Sequence, residues 1–130
     1  MENTLKTVKD FAKGRVVSIF GCGGNRDKLK RPIMGEISGR LADFSIVTSD
    51  NPRYEDPDEI IDMIIPGLEK SHGKYIRIEN RRDAIKYALE NVQENDVIVL
   101  CGKGHEDYQE IKGVKYHFDE REIVADILAE

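Results

Sequence analysis

Short apolar runs alternate with amphipathic segments along the whole chain. Four segments have the length and apolar character of strands, namely residues 15–20, 44–48, 74–78 and 96–100. Apolar residues at helical spacing predict helices that begin near residues 4, 32, 57 and 81. Capping signals support the last two, because Asp56 precedes Pro57 and Asn80 precedes the fourth segment.

The order of these elements predicts the fold class. Strands that alternate with helices favour an α/β fold, a Rossmann-like open sheet that is mainly parallel and has helices on both faces. Residues 108–111 and 114–118 predict a C-terminal β-hairpin across Lys112-Gly113, which we expect at one edge of the sheet. A final helix is predicted from about Asp119.

Length and composition narrow the classes of function. The 130 residues are the size of one domain, with 39% hydrophobic and 35% charged residues. A net charge of −5 gives no reason to expect binding of nucleic acid or an anionic membrane. The apolar runs are too short for a membrane span, and the first residues lack the pattern of a secretory signal, so we expect a cytoplasmic protein. Cys22 and Cys101 have neither disulfide nor metal-ligand spacing, so no metal site is predicted.

Three segments follow predicted strands at the edge where parallel sheets bind ligands, namely residues 21–31, 49–54 and 102–108. Positive charge is concentrated there in an otherwise acidic chain, on Arg26, Lys28, Lys30, Arg31, Arg53 and Lys103. Asp27 and Glu106 add negative charge to the same segments. Charges of both signs predict a ligand with both carboxylate or phosphate and ammonium groups, such as an amino acid.

Each segment by itself is also compatible with a simple turn. The glycines that follow the first strand do not form a dinucleotide-binding fingerprint, because Arg26 occupies the position of the last glycine. A nucleotide-dependent oxidoreductase, in which Asp50 would be the acid after the second strand, is therefore disfavoured. Residues 102–105 lack the features of a phosphate-binding P-loop.

Taken together, residues 20–32, 48–53 and 102–109 closely resemble the carboxy-terminal domain of the Mur ligases, and the resemblance covers essentially the whole chain. The most similar branch adds the third peptide residue to the cell-wall precursor UDP-N-acetylmuramoyl-L-alanyl-D-glutamate. The resemblance implies a site for meso-diaminopimelate at Arg26, Asp50, Asn51, Pro52, Arg53, Gly102 and Glu106. In this family the sequence Asp-Asn-Pro-Arg accompanies diaminopimelate, whereas lysine-adding relatives typically lack the arginine.

The resemblance also implies an ATP-dependent, amide-bond-forming ligation in the full-length protein. The UDP-precursor would be bound by an amino-terminal domain, and ATP with Mg²⁺ mainly by a central domain, both outside these 130 residues. The isolated chain is therefore expected to be inactive, and no catalytic residue is assigned to it. Lys28, Lys30 and Arg31 are expected to contact the nucleotide or an acyl phosphate.

Two alternatives remain open from the sequence. One is the carboxy-terminal domain of a lysine-adding or other Mur ligase, and the other is a stand-alone amino-acid-binding module. Two residues depart from the commoner family pattern: Asn25 stands where many relatives have aspartate, and Leu29 where many have glycine.

Overall fold

The computed structural model describes residues 1–101, 106 and 108–130, and within them helices and strands follow the predicted order. The elements are α1 (Glu2–Phe11), β1 (Val16–Phe20), α2 (Lys30–Leu41), β2 (Phe44–Val47), α3 (Pro57–Lys70), β3 (Tyr75–Arg77), α4 (Arg81–Glu90), β4 (Val97–Leu100), β5 (Tyr108–Ile111), β6 (Val114–His117) and α5 (Glu120–Ala129). Asp56 caps α3 by accepting a hydrogen bond from the Asp58 N–H at 2.9 Å. The Asn80 side chain caps α4 in the same manner.

The central sheet contains four parallel strands in the order β3-β2-β1-β4. Its register places Ser18 of β1 between Ser45 of β2 and Val99 of β4. Since all four strands run in one direction, the segments that follow β1, β2 and β4 leave the sheet at the same edge. The predicted parallel α/β architecture is confirmed.

Helices cover both faces of the sheet, as predicted. Every residue of β1 is buried, and successive side chains point to opposite faces. Val16 and Phe20 pack in the core with residues of α1 and α3, whereas Val17 and Ile19 pack in the core with residues of α4 and α5. Burial on both faces explains why this strand is apolar at every position except Ser18 and does not alternate between apolar and polar residues.

Helices α2 and α3 pack with their backbones almost in contact. A Cβ atom at Gly35 would collide with the Ile64 carbonyl oxygen, and one at Gly67 would collide with the Pro32 carbonyl oxygen. This close packing fixes the first half of α2 against α3.

The C-terminal hairpin is a two-stranded antiparallel sheet of its own, with Tyr108 opposite His117. It lies over the segment that follows β2, where the Arg53 N–H donates to the Glu110 carbonyl at 3.0 Å. The Gln109 side chain donates to the Asp50 carbonyl at 2.7 Å. The hairpin therefore lies at the edge of the central sheet where the strands end.

The close packing of α2 on α3 predicts that Gly67→Ala destabilises the protein. Because the new methyl group meets main-chain atoms, the helices must separate, and overpacking of this kind lowers the free energy of unfolding by about 1–3 kcal/mol. Urea denaturation measures the change. Lys70→Ala, an exposed substitution in the same helix, should change the free energy of unfolding by no more than about 0.5 kcal/mol. If the two variants had equal free energies of unfolding, the close packing of α2 on α3 would not require glycine at position 67.

Candidate functional site

The loop after β1 (residues 21–29, the first loop) is joined directly to the loop after β2 (residues 48–56, the second loop). The Gly24 N–H donates to the Asn51 carbonyl at 2.7 Å. A Cβ atom at Gly24 would collide with the Pro52 carbonyl oxygen, so this contact needs glycine. The two loops therefore form one surface at the carboxyl ends of the strands.

Arg26 and Arg53 flank Gly23 on this surface. A Cβ atom built on Gly23 would lie 2.9 Å from Nη1 of Arg53 and 3.4 Å from Cγ of Arg26. Nη1 of Arg53 donates to the carbonyls of Gly24 at 3.0 Å and Asn51 at 3.3 Å. The structure thus places the two sequence-predicted arginines at the same end of the sheet, with Arg53 also holding the loops together.

Glu106 joins the same surface through Asn51. The Asn51 side-chain amide donates to Oε1 of Glu106 at 3.4 Å, and the Tyr108 hydroxyl donates to Oε2 at 3.2 Å. The second of these contacts raises the pKa of Tyr108. Asn51 is itself held by the Glu110 N–H, which donates to its side-chain oxygen at 2.9 Å. Gly102, the remaining predicted ligand, lies outside the described residues.

A cavity of about 280 Å³ opens between the first loop, the start of α2 and Asp50. Its lining carries charges of both signs, with Arg26 and Lys30 facing the same space as Asp27 and Asp50. Cys22 completes an apolar part of the wall, and burial raises the pKa of its thiol to about 11. The thiol is therefore protonated at neutral pH and acts as a small apolar residue.

The three basic residues near the start of α2 differ in their surroundings. Lys28 and Lys30 are exposed. Arg31 is only 1% exposed, and its guanidinium forms a two-point ion pair with Glu55, with N···O distances of 2.9 and 3.1 Å. Arg31 is thus committed to a contact inside the protein while it also lines the cavity, and its contact with a nucleotide or an acyl phosphate stays a prediction.

Glu55 was not among the residues that the sequence pattern singled out. Besides pairing with Arg31, it accepts a hydrogen bond from the Asn25 N–H at 2.5 Å. The hydrogen bonds from Arg31 and Asn25 lower the pKa of Glu55 to about 2. The sequence shows only an acidic residue two positions after Arg53, which does not specify a partner 24 positions away.

Arg81 is a second residue that sequence analysis missed. It is 1% exposed, and its guanidinium donates to the Ser49 carbonyl at 3.3 Å and to the Cys101 carbonyl at 2.9 Å. Its Nε donates to Glu120 at 2.6 Å. Arg81 therefore ties the end of β2 to the end of β4 and both to α5. An arginine in the first turn of an amphipathic helix is usually exposed, so the sequence contains no sign of this burial.

The two departures from the family pattern are accommodated. Asn25 has a φ of +55°, in the left-handed region that asparagine tolerates better than most residues. Leu29 has a φ of −66° and is 78% exposed, so a side chain meets no steric conflict there.

Within the part of the chain that the structure describes, no three or more His, Cys, Asp or Glu side chains form a group suited to a metal ion. Among the same residues, no helix combines the length and the apolar character that crossing a bilayer requires.

Comparison with known proteins finds relatives that match the whole length of the chain. The chain is 53% identical over all its 130 residues to the UDP-N-acetylmuramoyl-L-alanyl-D-glutamate--2,6-diaminopimelate ligase of Clostridium botulinum, covering 26% of that protein. It is 48% identical over 128 residues to the ligase of the same name from Aquifex aeolicus, covering 98% of this chain and 26% of that protein. The chain thus spans about a quarter of the length of these relatives.

A solved structure of a ligase with this name superimposes on the chain with a TM-score of 0.92 and 41% sequence identity. The match covers 98% of this chain and 26% of the other. The model of the family "Mur ligase, glutamate ligase domain" matches residues 1–104. The chain therefore belongs to the Mur ligase, glutamate ligase domain family.

Proposed function

We propose that this chain is the amino-acid-binding part of a longer ligase that adds meso-diaminopimelate to UDP-N-acetylmuramoyl-L-alanyl-D-glutamate in peptidoglycan synthesis. The observation that carries the proposal is the meeting of Arg26 and Arg53 beside Gly23, with Glu106 linked to the same surface through Asn51. The relatives that bear the name of this activity are about four times as long as the chain. The activity is therefore proposed for the longer protein.

The arginines provide the proposed site for a carboxylate of the amino acid. The described residues contact Arg53 through Nη1 and through Nε, which lies 3.6 Å from Glu110. Its Nη2 group thus keeps two N–H donors for a carboxylate, and the exposed Arg26, whose Cγ approaches the same Gly23, supplies a second positive charge to this surface. Diaminopimelate has a carboxylate at each end, whereas lysine lacks the distal one. Lysine would leave the Nη2 donors of Arg53 without this carboxylate while Nε keeps its ion pair with Glu110, and a site built to bind a polar group discriminates against a ligand that lacks the group.

Glu106 provides the proposed acceptor for an ammonium group. Its carboxylate is oriented by Asn51 and Tyr108, each of which donates to a different oxygen. Asp50 and Pro52 complete the proposed site in the second loop, where Asp50 lines the cavity and Pro52 touches the first loop at Gly24. Gly102 belongs to the proposal on the family pattern alone.

In the proposed reaction the glutamate side-chain carboxylate of the precursor takes the terminal phosphoryl group of ATP, which leaves ADP and an acyl phosphate. An amine of diaminopimelate then attacks the acyl carbon, and the amide forms as the C–O bond to phosphate breaks and the amine loses a proton, with inorganic phosphate as the leaving group. The chain would hold the amino acid so that this amine reaches the activated carbon, which is catalysis by positioning. ATP, Mg²⁺ and the UDP-precursor would be bound mainly by the rest of the protein. Lys30, which lines the cavity, and the exposed Lys28 two positions before it are suited to a phosphate group.

Arg53→Ala in the full-length ligase tests the carboxylate assignment. Loss of a hydrogen bond to a charged group costs about 1.5–3 kcal/mol, so the KM for diaminopimelate should rise about ten- to a hundred-fold. The kcat/KM for lysine should fall much less, because lysine offers this arginine no carboxylate. Steady-state kinetics with both amino acids measure the change in preference.

Arg40→Ala is the control, since Arg40 is an exposed arginine in the last turn of α2, and it should leave the preference unchanged. If Arg53→Ala impaired diaminopimelate and lysine equally, Arg53 would be only a loop-holding residue. A wild-type enzyme that preferred lysine would instead support the lysine-adding alternative.

Glu106→Gln tests the ammonium assignment. The substitution keeps the size of the side chain but removes the charge, so the KM for diaminopimelate should rise about ten-fold or more while the KM for ATP stays nearly constant. Glu122→Gln, which neutralises an exposed glutamate in α5, serves as the matched control. A KM for diaminopimelate that changed less than two-fold would remove Glu106 from the site.

A further inference from the structure

We propose that the ion pair between the buried Arg31 and the half-buried Glu55 is a positioning unit, which sets the affinity for the amino acid by holding the first loop in the geometry that Arg26 and Arg53 need. This inference rests on the proposed function. Neither residue touches the amino acid in this proposal. Both act on the main chain from which Arg26 projects.

The pair links two elements that meet beneath the site. Arg31 lies in the first turn of α2, and Glu55 lies between Arg53 and the start of α3. Both guanidinium nitrogens Nη1 and Nη2 face the two carboxylate oxygens, and the Glu55 side chain is 21% exposed. Two-point contacts of this kind fix orientation as well as distance.

Two further contacts of the pair reach the first loop on both sides of Gly24, while Nη1 of Arg31 also donates to the Met63 sulfur in α3 at 3.2 Å. Nη2 of Arg31 donates to the Gly23 carbonyl at 3.1 Å, and the Asn25 N–H donates to Glu55. Arg26 is the next residue in the chain. The ion pair therefore holds the main chain immediately before Arg26, at the point where Gly24 also contacts the second loop.

The first loop needs such support for two physical reasons. Asn25 has a φ of +55°, a conformation that costs energy for a residue other than glycine. Arg26 and Arg53, both positively charged, approach the same Gly23, so their charges repel each other. An unsupported loop would relax by moving Arg26 away from Arg53.

Stability alone is a poor explanation for this pair. Nε of Arg31 is buried with no hydrogen-bond partner among the described residues, which is a cost to folding. A buried ion pair is often no more stabilising than well-packed apolar residues of the same volume. The lowered pKa of Glu55 is a consequence of the hydrogen bonds from Arg31 and Asn25, and it extends the charged state of the carboxylate to a pH below the range in which an ordinary glutamate is protonated.

The test is Glu55→Gln in the full-length ligase. Glutamine keeps the shape of the side chain and one oxygen for the Asn25 N–H, but it leaves the buried Arg31 without a counter-charge. We expect the KM for diaminopimelate to rise about ten-fold or more, because small misplacements of a binding group are costly. The kcat and the KM values for ATP and the UDP-precursor should change less than about two-fold. The preference for diaminopimelate over lysine should narrow, which general destabilisation would not cause.

A matched control exists at the opposite end of the sheet. Arg15 and Asp96 form the same kind of two-point pair, at 2.7 and 3.1 Å, and the Asp96 side chain is 1% exposed. Asp96→Asn should lower the melting temperature as Glu55→Gln does, but it should leave the KM for diaminopimelate unchanged. Arg31→Lys is a second test variant. It keeps the charge but loses the two-point geometry, and it should raise the same KM.

The possible results separate the inference from the function on which it rests. A wild-type enzyme that does not use diaminopimelate refutes the proposed function. If the wild type uses it and both Glu55→Gln and Arg31→Lys keep its KM within two-fold, the positioning role is refuted. A rise of the same size in Asp96→Asn would also refute it, because the effect would then follow from lost stability.

Discussion

The hydrogen bond from the Gly24 N–H to the Asn51 carbonyl is the contact on which the site depends. It joins two loops that leave the sheet from adjacent parallel strands, and it brings Arg26 and Arg53 to the same glycine. The contact exists because position 24 has no side chain, so the main chains can approach to hydrogen-bonding distance. A larger residue there would push the two loops apart. The charges that define the site would then be separated as well.

Buried arginines complete this framework. Arg31 ties the first loop to the second through Glu55, and Arg81 ties the end of β2 to the end of β4. Each guanidinium satisfies several carbonyl and carboxylate oxygens at once, which suits a region where loops replace regular hydrogen bonding. The molecule thus uses positive charge in two ways, inside the protein to hold the loops and at the surface for the proposed ligand.

The hairpin gives the site its third side. Its backbone binds Arg53 through Glu110 and holds the Asn51 side chain, while Gln109 holds the main chain at Asp50. These contacts lock the second loop from the face opposite the first loop. They also carry Glu106, which lies just before the hairpin, to within hydrogen-bonding distance of Asn51.

The sequence by itself determined the elements and the edge at which the site lies. Apolar runs such as Val16–Phe20 reveal a strand buried on both faces, and caps such as Asp56 and Asn80 mark helix starts, because these signals arise from neighbouring residues. Only the tertiary structure decided which charged residues face solvent and which support the loops. Arg31 resembles Lys30 in the sequence, yet it is buried against a glutamate 24 residues away, and Arg81 is buried against carbonyls of two strand ends. Burial of a charge depends on partners that folding brings together, and no local pattern encodes those partners.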